Sequence, residues 1–146
     1  MGTTCISLLV NGTKALIGHV GDSRAYLVRE GDVHQLSEDH SLVNEQVRAG
    51  LLTEEEARHS RLKNIITRSV GFEEDVLVDL LGFESKPGDR YLLCSDGLSN
   101  LVDNEEIGVQ LLRHDDPERA SRALVDLANE RGGDDNITVV VVHRTG

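Results

Sequence analysis

Tryptophan is absent from this 146-residue chain, and its only aromatic rings are Tyr26, Tyr91, Phe72 and Phe83. A core must therefore be packed from Leu, Val, Ile and Ala. Cysteine is nearly absent too: Cys5 and Cys94 both sit in apolar stretches, with no Cys-x-x-Cys and no Cys/His spacing. That excludes a disulfide framework and a structural zinc site, and two buried thiols suit a reducing cytoplasm. Pro87 and Pro117 are the only prolines, and no linker, repeat or low-complexity tract is present. No apolar run approaches the roughly 18 residues of a membrane span, and no basic-then-apolar leader opens the chain. The expectation is a soluble cytoplasmic protein with no membrane partner. Basic charge is scarce, 15 Lys and Arg against 26 Asp and Glu, for a net −11. Nucleic acid is thereby excluded as a partner, since phosphate binding needs clustered cations. An acidic surface suits cation binding, but it equally suits plain solvation.

What is present is organised around Tyr91-Leu92-Leu93-Cys94-Ser95-Asp96-Gly97-Leu98. A short apolar run, the length of a buried strand, breaks into Ser-Asp-Gly, which sets a carboxylate at the strand mouth with Gly97 free to bend the backbone. The pattern recurs where Ala15–Val20 runs into Gly21-Asp22-Ser23, and where Gly132-Gly133-Asp134-Asp135-Asn136 leads into Ile137–Val142. Three such strand ends can converge on a hard cation.

Taken in order, residues 3–36 predict an antiparallel meander. Asn11-Gly12 is a hairpin turn whose two positions call for positive φ, and Glu30-Gly31-Asp32 is a second turn. Connections this short exclude parallel crossovers. Polarity rises from Ser37 to Lys63. Ser41 caps a helix over Leu42–Ala49, and Thr53-Glu54-Glu55-Glu56 is a capping box for a second, shorter one. This segment reads either as a flap-like insertion touching substrate or as a plain surface hairpin. Ile65–Arg68 is expected to be a short strand, followed by another within Asp75–Phe83. Asp103 and Asp116-Pro117 start two late helices, the second with Ala120, Ala123, Leu124, Leu127 and Ala128 on one face. Ile137–Val142 is apolar on both sides and is expected to lie centrally in its sheet. The class is α+β, an antiparallel sheet with helices on one face. The helices leave the other face without a second layer.

Buried carboxylates are costly unless paired or metal-bound. Asp32 and Asp89 read as turn residues. Asp22, Asp96 and Asp135 each adjoin a strand long enough to be buried, and Arg24 is the one nearby base able to serve Asp22. All-oxygen ligation suits Mg²⁺ or Mn²⁺, and no calcium-type loop is present. Ser23 and Ser95 lack an adjacent base, which argues against nucleophilic serine chemistry. Cys94 reads as a structural thiol, because a neighbouring carboxylate raises its pKa. His19 reads as a hydrogen-bonded core residue. His40 and His59 fall in the polar insertion, either solvated or in contact with substrate. Gly132-Gly133 lacks the lysine of a phosphate-binding loop.

Met1-Gly2-Thr3-Thr4, Gly18–Arg24, Leu36–His40, Ile66–Gly71, Leu93–Leu98 and Asp134–Thr138 resemble, in order, the consecutive motifs of the type-2C, metal-dependent serine/threonine protein phosphatases, most closely those of bacteria. The resemblance implies an antiparallel β-sandwich flanked by helices with a binuclear Mn²⁺ or Mg²⁺ centre between the sheets. It implies that Asp96 and Asp135 are ligands there, that Asp22 helps hold a third ion, and that Asp39–Lys63 is the flap beside the site. In that family the ions bridge and acidify a water that attacks phosphorus in line, and no side chain acts as catalytic nucleophile. The implied partners are a phosphorylated protein and a cognate Ser/Thr kinase.

Members of the family carry roughly a further third of the domain ahead of the Met-Gly-Thr-Thr motif, with a phosphate-gripping arginine and a metal-bridging aspartate. The expectation is a single partial phosphatase domain over 1–146, with 37–63 as its insertion, weakly active or inactive, and prone to self-association through exposed sheet surface. The alternative is a pseudophosphatase or regulatory binding module with the same fold.

Overall fold

A computed structural model describes residues 1–146. The chain folds into two antiparallel sheets and five helices. Strands β1 (Cys5–Asn11) and β2 (Lys14–Val20) form a hairpin, and β5 (Asp79–Glu84) pairs with the other side of β2. The second sheet runs β4 (Asp32–Gln35), β3 (Arg24–Arg29), β6 (Arg90–Cys94), β7 (Val139–His143). The chain passes from one sheet to the other at Gly21-Asp22-Ser23, between β2 and β3.

Period-2 alternation aims both faces of β3 and β6 into apolar surroundings. Tyr26, Val28, Leu92 and Cys94 face helices α3 (Asp96–Ser99), α4 (Asn104–Arg113) and α5 (Pro117–Glu130). They pack there with Leu98, Ile107, Leu111, Ala120, Leu124 and Ala128. Ala25, Leu27 and Tyr91 are buried on the opposite face, where the sheets meet. Across that interface the Phe83 and Tyr91 rings are 6.2 Å apart and Arg29 Nη2 donates to Glu84 O at 2.8 Å. Each fully buried Leu, Ile or Val contributes about 1.5–3 kcal/mol, so the sandwich stands without tryptophan.

The helix starts follow their local chemistry. Ser41 caps α1 (Leu42–Arg48), Thr53 and Glu56 close a capping box on α2 (Glu54–Arg58), Asp103 and Glu106 do so on α4, and Asp116 caps α5 ahead of Pro117. Each cap satisfies backbone N–H groups that the first turn leaves without partners.

Several expectations need correction. Asn11 stays in β1, paired with Lys14, and only Gly12 of that turn has positive φ. The turn with two positive φ values is Glu30-Gly31, at 52° and 84°. Ile65–Arg68 forms no strand, only an isolated bridge from Ile66 to Ser41. β7 is an edge strand rather than a central one, and Val140 is 50% exposed, because the helices cover one of its faces only. Asp89 is no ordinary turn residue. It is 1% exposed, gripped by Arg29 Nε and Nη2 at 2.8 and 2.7 Å, and accepts from Lys86 N at 2.8 Å. Cys5 is exposed on the edge strand, not buried. No helix is long and apolar enough to cross a membrane.

Candidate metal centre

The register of the second sheet decides where the acidic turns fall. Arg24 pairs with Cys94, and Cys94 with Val139. Asp22 lies just ahead of Arg24, Asp96 just beyond Cys94, and Asp135 on the loop entering β7. All three therefore emerge at the same end of β3, β6 and β7. The Asp96 turn and the Asp135 loop are stitched together, with Ser95 N donating to Thr138 O and Thr138 N to Ser95 Oγ, both at 3.0 Å. Gly97 completes the seam. It lies in α3 and its role is not to bend the chain: a Cβ there would come within 2.1 Å of Asn136 O.

The electrostatics report the same convergence. Burial pushes the Asp22 carboxyl up to about 6, helped by the charges of Asp96 and Asp39. Burial also raises Asp96, followed by the Asp135 charge, while the backbone N–H of Gly97 pulls the other way. Arg24 does not serve Asp22 as expected. Its guanidinium makes a bidentate pair with Asp39, at 2.8 and 2.6 Å, and reaches Tyr26 Oη at 3.1 Å. None of Asp22, Asp96 and Asp135 forms an ion pair. Three acidic side chains thus share one sheet end, two of them half-buried, with no ion pair and only the more distant charge of Arg24 opposing the upward shift of Asp22.

A different trio packs more tightly. The possible ligand atoms of His19, His40 and Asp79 all lie within 4.8 Å of one another. Hydrogen bonds already use three of the four ring nitrogens of the two histidines. Gly21 N donates to His40 Nδ1 at 2.9 Å, His40 Nε2 meets Asp79 Oδ2 at 2.7 Å, and His19 Nε2 meets Gly21 O at 3.1 Å. His19 is the buried core residue expected from its strand. His40 is not solvated: it is 6% exposed, stacks on His19 at 4.3 Å, and has no free nitrogen for substrate. His59 lies exposed on the surface, paired with Glu55 at 3.1 Å.

The remaining candidates behave as structural groups. Burial pushes the Cys94 thiol up to about 12, well away from reactivity. Ser23 Oγ lies 2.8 Å from Thr4 Oγ1, and Ser95 Oγ donates to Asn136 O at 3.3 Å. Gly133 N closes the end of α5 on Ala128 O at 3.1 Å, which accounts for the glycine pair. Sequence reasoning missed Asp39 as a fourth carboxylate at this end. It also missed the His40–Asp79 contact, whose partners are 39 residues apart with no local pattern linking them. A cleft of about 700 Å³ opens beside Arg24 and Asp39, between α1 and α2 on one side and Asn100, Asn104 and Glu105 on the other.

Residues 1–74 match the family described as Protein phosphatase 2C. The chain belongs to that family. It is 44% identical over 143 residues to protein phosphatase PhpP of Streptococcus pneumoniae, covering 97% of this chain and 58% of that protein. It is 40% identical over 144 residues to serine/threonine phosphatase stp of Listeria monocytogenes, covering 99% of this chain and 57% of the relative. The Streptococcus agalactiae serine/threonine phosphatase superposes with a TM-score of 0.93 at 45% identity, over 99% of this chain and 60% of that one. The catalytic domain of the phosphatase PstP in complex with two manganese ions superposes with a TM-score of 0.87 at 40% identity, over 97% and 58%. This protein phosphatase 2C chain thus spans a little under three fifths of the curated relatives it matches. Its mixed architecture of antiparallel sheets and helices is that of the family's solved structures.

Proposed function

We propose that this chain carries the Asp22, Asp96 and Asp135 portion of a metal-dependent phosphatase acting on phosphoserine and phosphothreonine in proteins. The observation that carries the reading is the convergence of those carboxylates at one sheet end, none of them in an ion pair, in a protein phosphatase 2C chain. The donor set, oxygen only and anionic, fits Mn²⁺ or Mg²⁺ and suits softer metals poorly. Asp96 and Asp135 would hold the principal ions, and Asp22 with Asp96 a further one. Bound there, divalent cations would supply an acidified water and charge to neutralise the phosphoryl oxygens.

The chain's own residues do the rest. The Ser95–Thr138 stitching fixes Asp96 against Asp135, and the Arg24–Asp39 pair keeps the guanidinium from a direct ion pair with Asp22. The segment 37–63, with α1 and α2, forms the flap-like wall of the cleft in a single partial phosphatase domain. A phosphorylated protein is the substrate, a cytoplasmic Ser/Thr kinase the opposing enzyme. Leu9, Leu16 and Leu80, exposed together on the outer face of β1, β2 and β5, favour self-association.

The 146 residues by themselves are expected to turn over weakly or not at all, since the matched relatives are longer. A second reading is a regulatory binding module that keeps the fold and one weak cation site. An aryl phosphate or phosphopeptide assay in Mn²⁺ tests the first. Turnover abolished by Asp96→Asn supports it, and turnover untouched by that substitution contradicts it. Cation binding without hydrolysis under any metal supports the second.

A further inference from the structure

We propose that His40 is the positioning residue for Asp22. It holds the backbone of Gly21 and so sets the direction in which the Asp22 carboxylate leaves the β2–β3 turn. Asp79 and Arg68 in turn fix His40. The inference rests on the reading of Asp22 as a cation ligand.

The proton positions follow from the donors. A backbone N–H can only donate, so the Gly21 N to His40 Nδ1 contact at 2.9 Å leaves Nδ1 unprotonated. The ring proton therefore sits on Nε2 and is donated to Asp79 Oδ2 at 2.7 Å. Arg68 Nη1 donates to the other Asp79 oxygen at 2.8 Å and to Leu77 O at 3.2 Å, which anchors the carboxylate. His40 also uses its backbone: its N donates to Gly21 O at 2.9 Å, and Thr67 N donates to its carbonyl at 2.8 Å. The His19 ring donates to the same Gly21 oxygen at 3.1 Å and stacks on His40. Both peptide groups flanking the Gly21 Cα are thus held from outside.

Gly21 needs that hold. Its φ of 109° is closed to side-chain-bearing residues, and a Cβ would meet Thr4 Cγ2 at 2.5 Å. Glycine is required there, yet glycine has little preference of its own for one course. The clamp supplies what the residue lacks. It also links three places distant in sequence: the acidic turn, the first strand residue of β5, and the segment that opens at Ser37. Partners of this kind, one shell out from the ligand, typically change metal affinity by about 10–100-fold when lost.

The test separates the two ring nitrogens. In His40→Asn the amide oxygen falls where Nδ1 was and still accepts from Gly21. In His40→Gln the amide reaches Asp79 and leaves Gly21 N without an acceptor. Titration calorimetry with Mn²⁺, together with hydrogen exchange at the Gly21 amide, reads the outcome. His40→Gln is expected to weaken Mn²⁺ binding about tenfold or more and to lose Gly21 protection, while His40→Asn, which keeps the Gly21 acceptor and loses only the Asp79 anchor, loses less of both. In an Asp22→Asn background His40→Gln is expected to have no further effect on Mn²⁺. Should His40→Gln not fold, Asp79→Ala, which leaves the ring in place but unanchored, is expected to weaken Mn²⁺ in the same direction. Undiminished affinity in His40→Gln, or an equal loss when Asp22 is already Asn, overturns the inference alone. Unchanged affinity in Asp22→Asn overturns the cation reading, and the inference with it.

Discussion

Gly97 and Asn136 touch so closely that any side chain at Gly97 would enter the space of the Asn136 carbonyl oxygen, 2.1 Å from the position of an added Cβ. One residue precedes Gly97 and one precedes Asn136, and these are Asp96 and Asp135. The contact therefore fixes the separation of two of the three converging carboxylates. Gly97→Ala must push the turn and the loop apart. The expected cost is about 2 kcal/mol or more in urea unfolding, with Mn²⁺ affinity reduced beyond that of a surface Gly→Ala control such as Gly82→Ala. Equal Mn²⁺ affinity in both variants would show that the seam does not position the acids.

In the metal-free protein Asp22 is strained by burial and by the charges of Asp96 and Asp39, and Asp96 by burial and by the charges of Asp135 and Asp39. Neutralising either removes like-charge crowding, so Asp22→Asn and Asp96→Asn are expected to raise metal-free stability, by a modest amount because solvent screens these part-exposed groups. The same substitutions are expected to reduce the stabilisation that added Mn²⁺ gives. Thermal melts with and without the ion check both signs at once. A variant that is less stable without metal contradicts the electrostatic account.

The pH dependence has two parts of opposite sign. Asp22, raised to about 6, binds more proton folded than unfolded between roughly pH 4 and 6, so metal-free stability falls as pH rises through that window. Hydrogen bonds from His40 and Arg68 hold Asp79 down at about 2, so its contribution is present above roughly pH 4 and lost as pH falls toward 2. Asp79 is nearly half exposed, and solvent screening keeps its share small. Urea midpoints from pH 2.5 to 7 are expected to show a flatter decline above pH 4 in Asp22→Asn. In Asp79→Asn they are expected to show a flatter loss below it. An advantage of Asp22→Asn that shrinks as pH rises would reverse the sign and refute the assignment.

The Arg29–Asp89 pair gives the largest expected loss of stability. Asp89 is almost fully enclosed, and Arg29→Ala leaves its charge with only Lys86 N, at 2.8 Å, and the Tyr91 hydroxyl, at 3.2 Å. Breaking such a pair costs about 3–5 kcal/mol, and the double variant Arg29→Met with Asp89→Leu is expected to recover part of it. Denaturant unfolding measures both, and an Arg29→Ala cost under about 1 kcal/mol would place the pair with ordinary surface bridges.

The features that could be read from the sequence are those whose cause is local. A cap needs only its own first turn, and so Ser41, Thr53 with Glu56, Asp103 with Glu106, and Asp116 were each identifiable from neighbours within four residues. The three acidic strand ends were identifiable for a similar reason, because in each an apolar strand adjoins a turn that holds both aspartate and glycine. What stayed hidden depends on pairing. Val-rich β7 looks central, yet its position at the edge follows from what lies beside it. Arg24 is nearest Asp22 in sequence but takes Asp39, and Asp89 looks like a turn residue until Arg29, from another strand, encloses it. His40 gave no signal, since its partners Gly21 and Asp79 lie far off on either side in the chain.

The most direct measurement is anomalous diffraction from a crystal of this chain soaked in Mn²⁺. The account predicts a peak between Asp22, Asp96 and Asp135, lost or displaced in Asp96→Asn. A peak at His19, His40 and Asp79 instead, or none near the three aspartates, would contradict it.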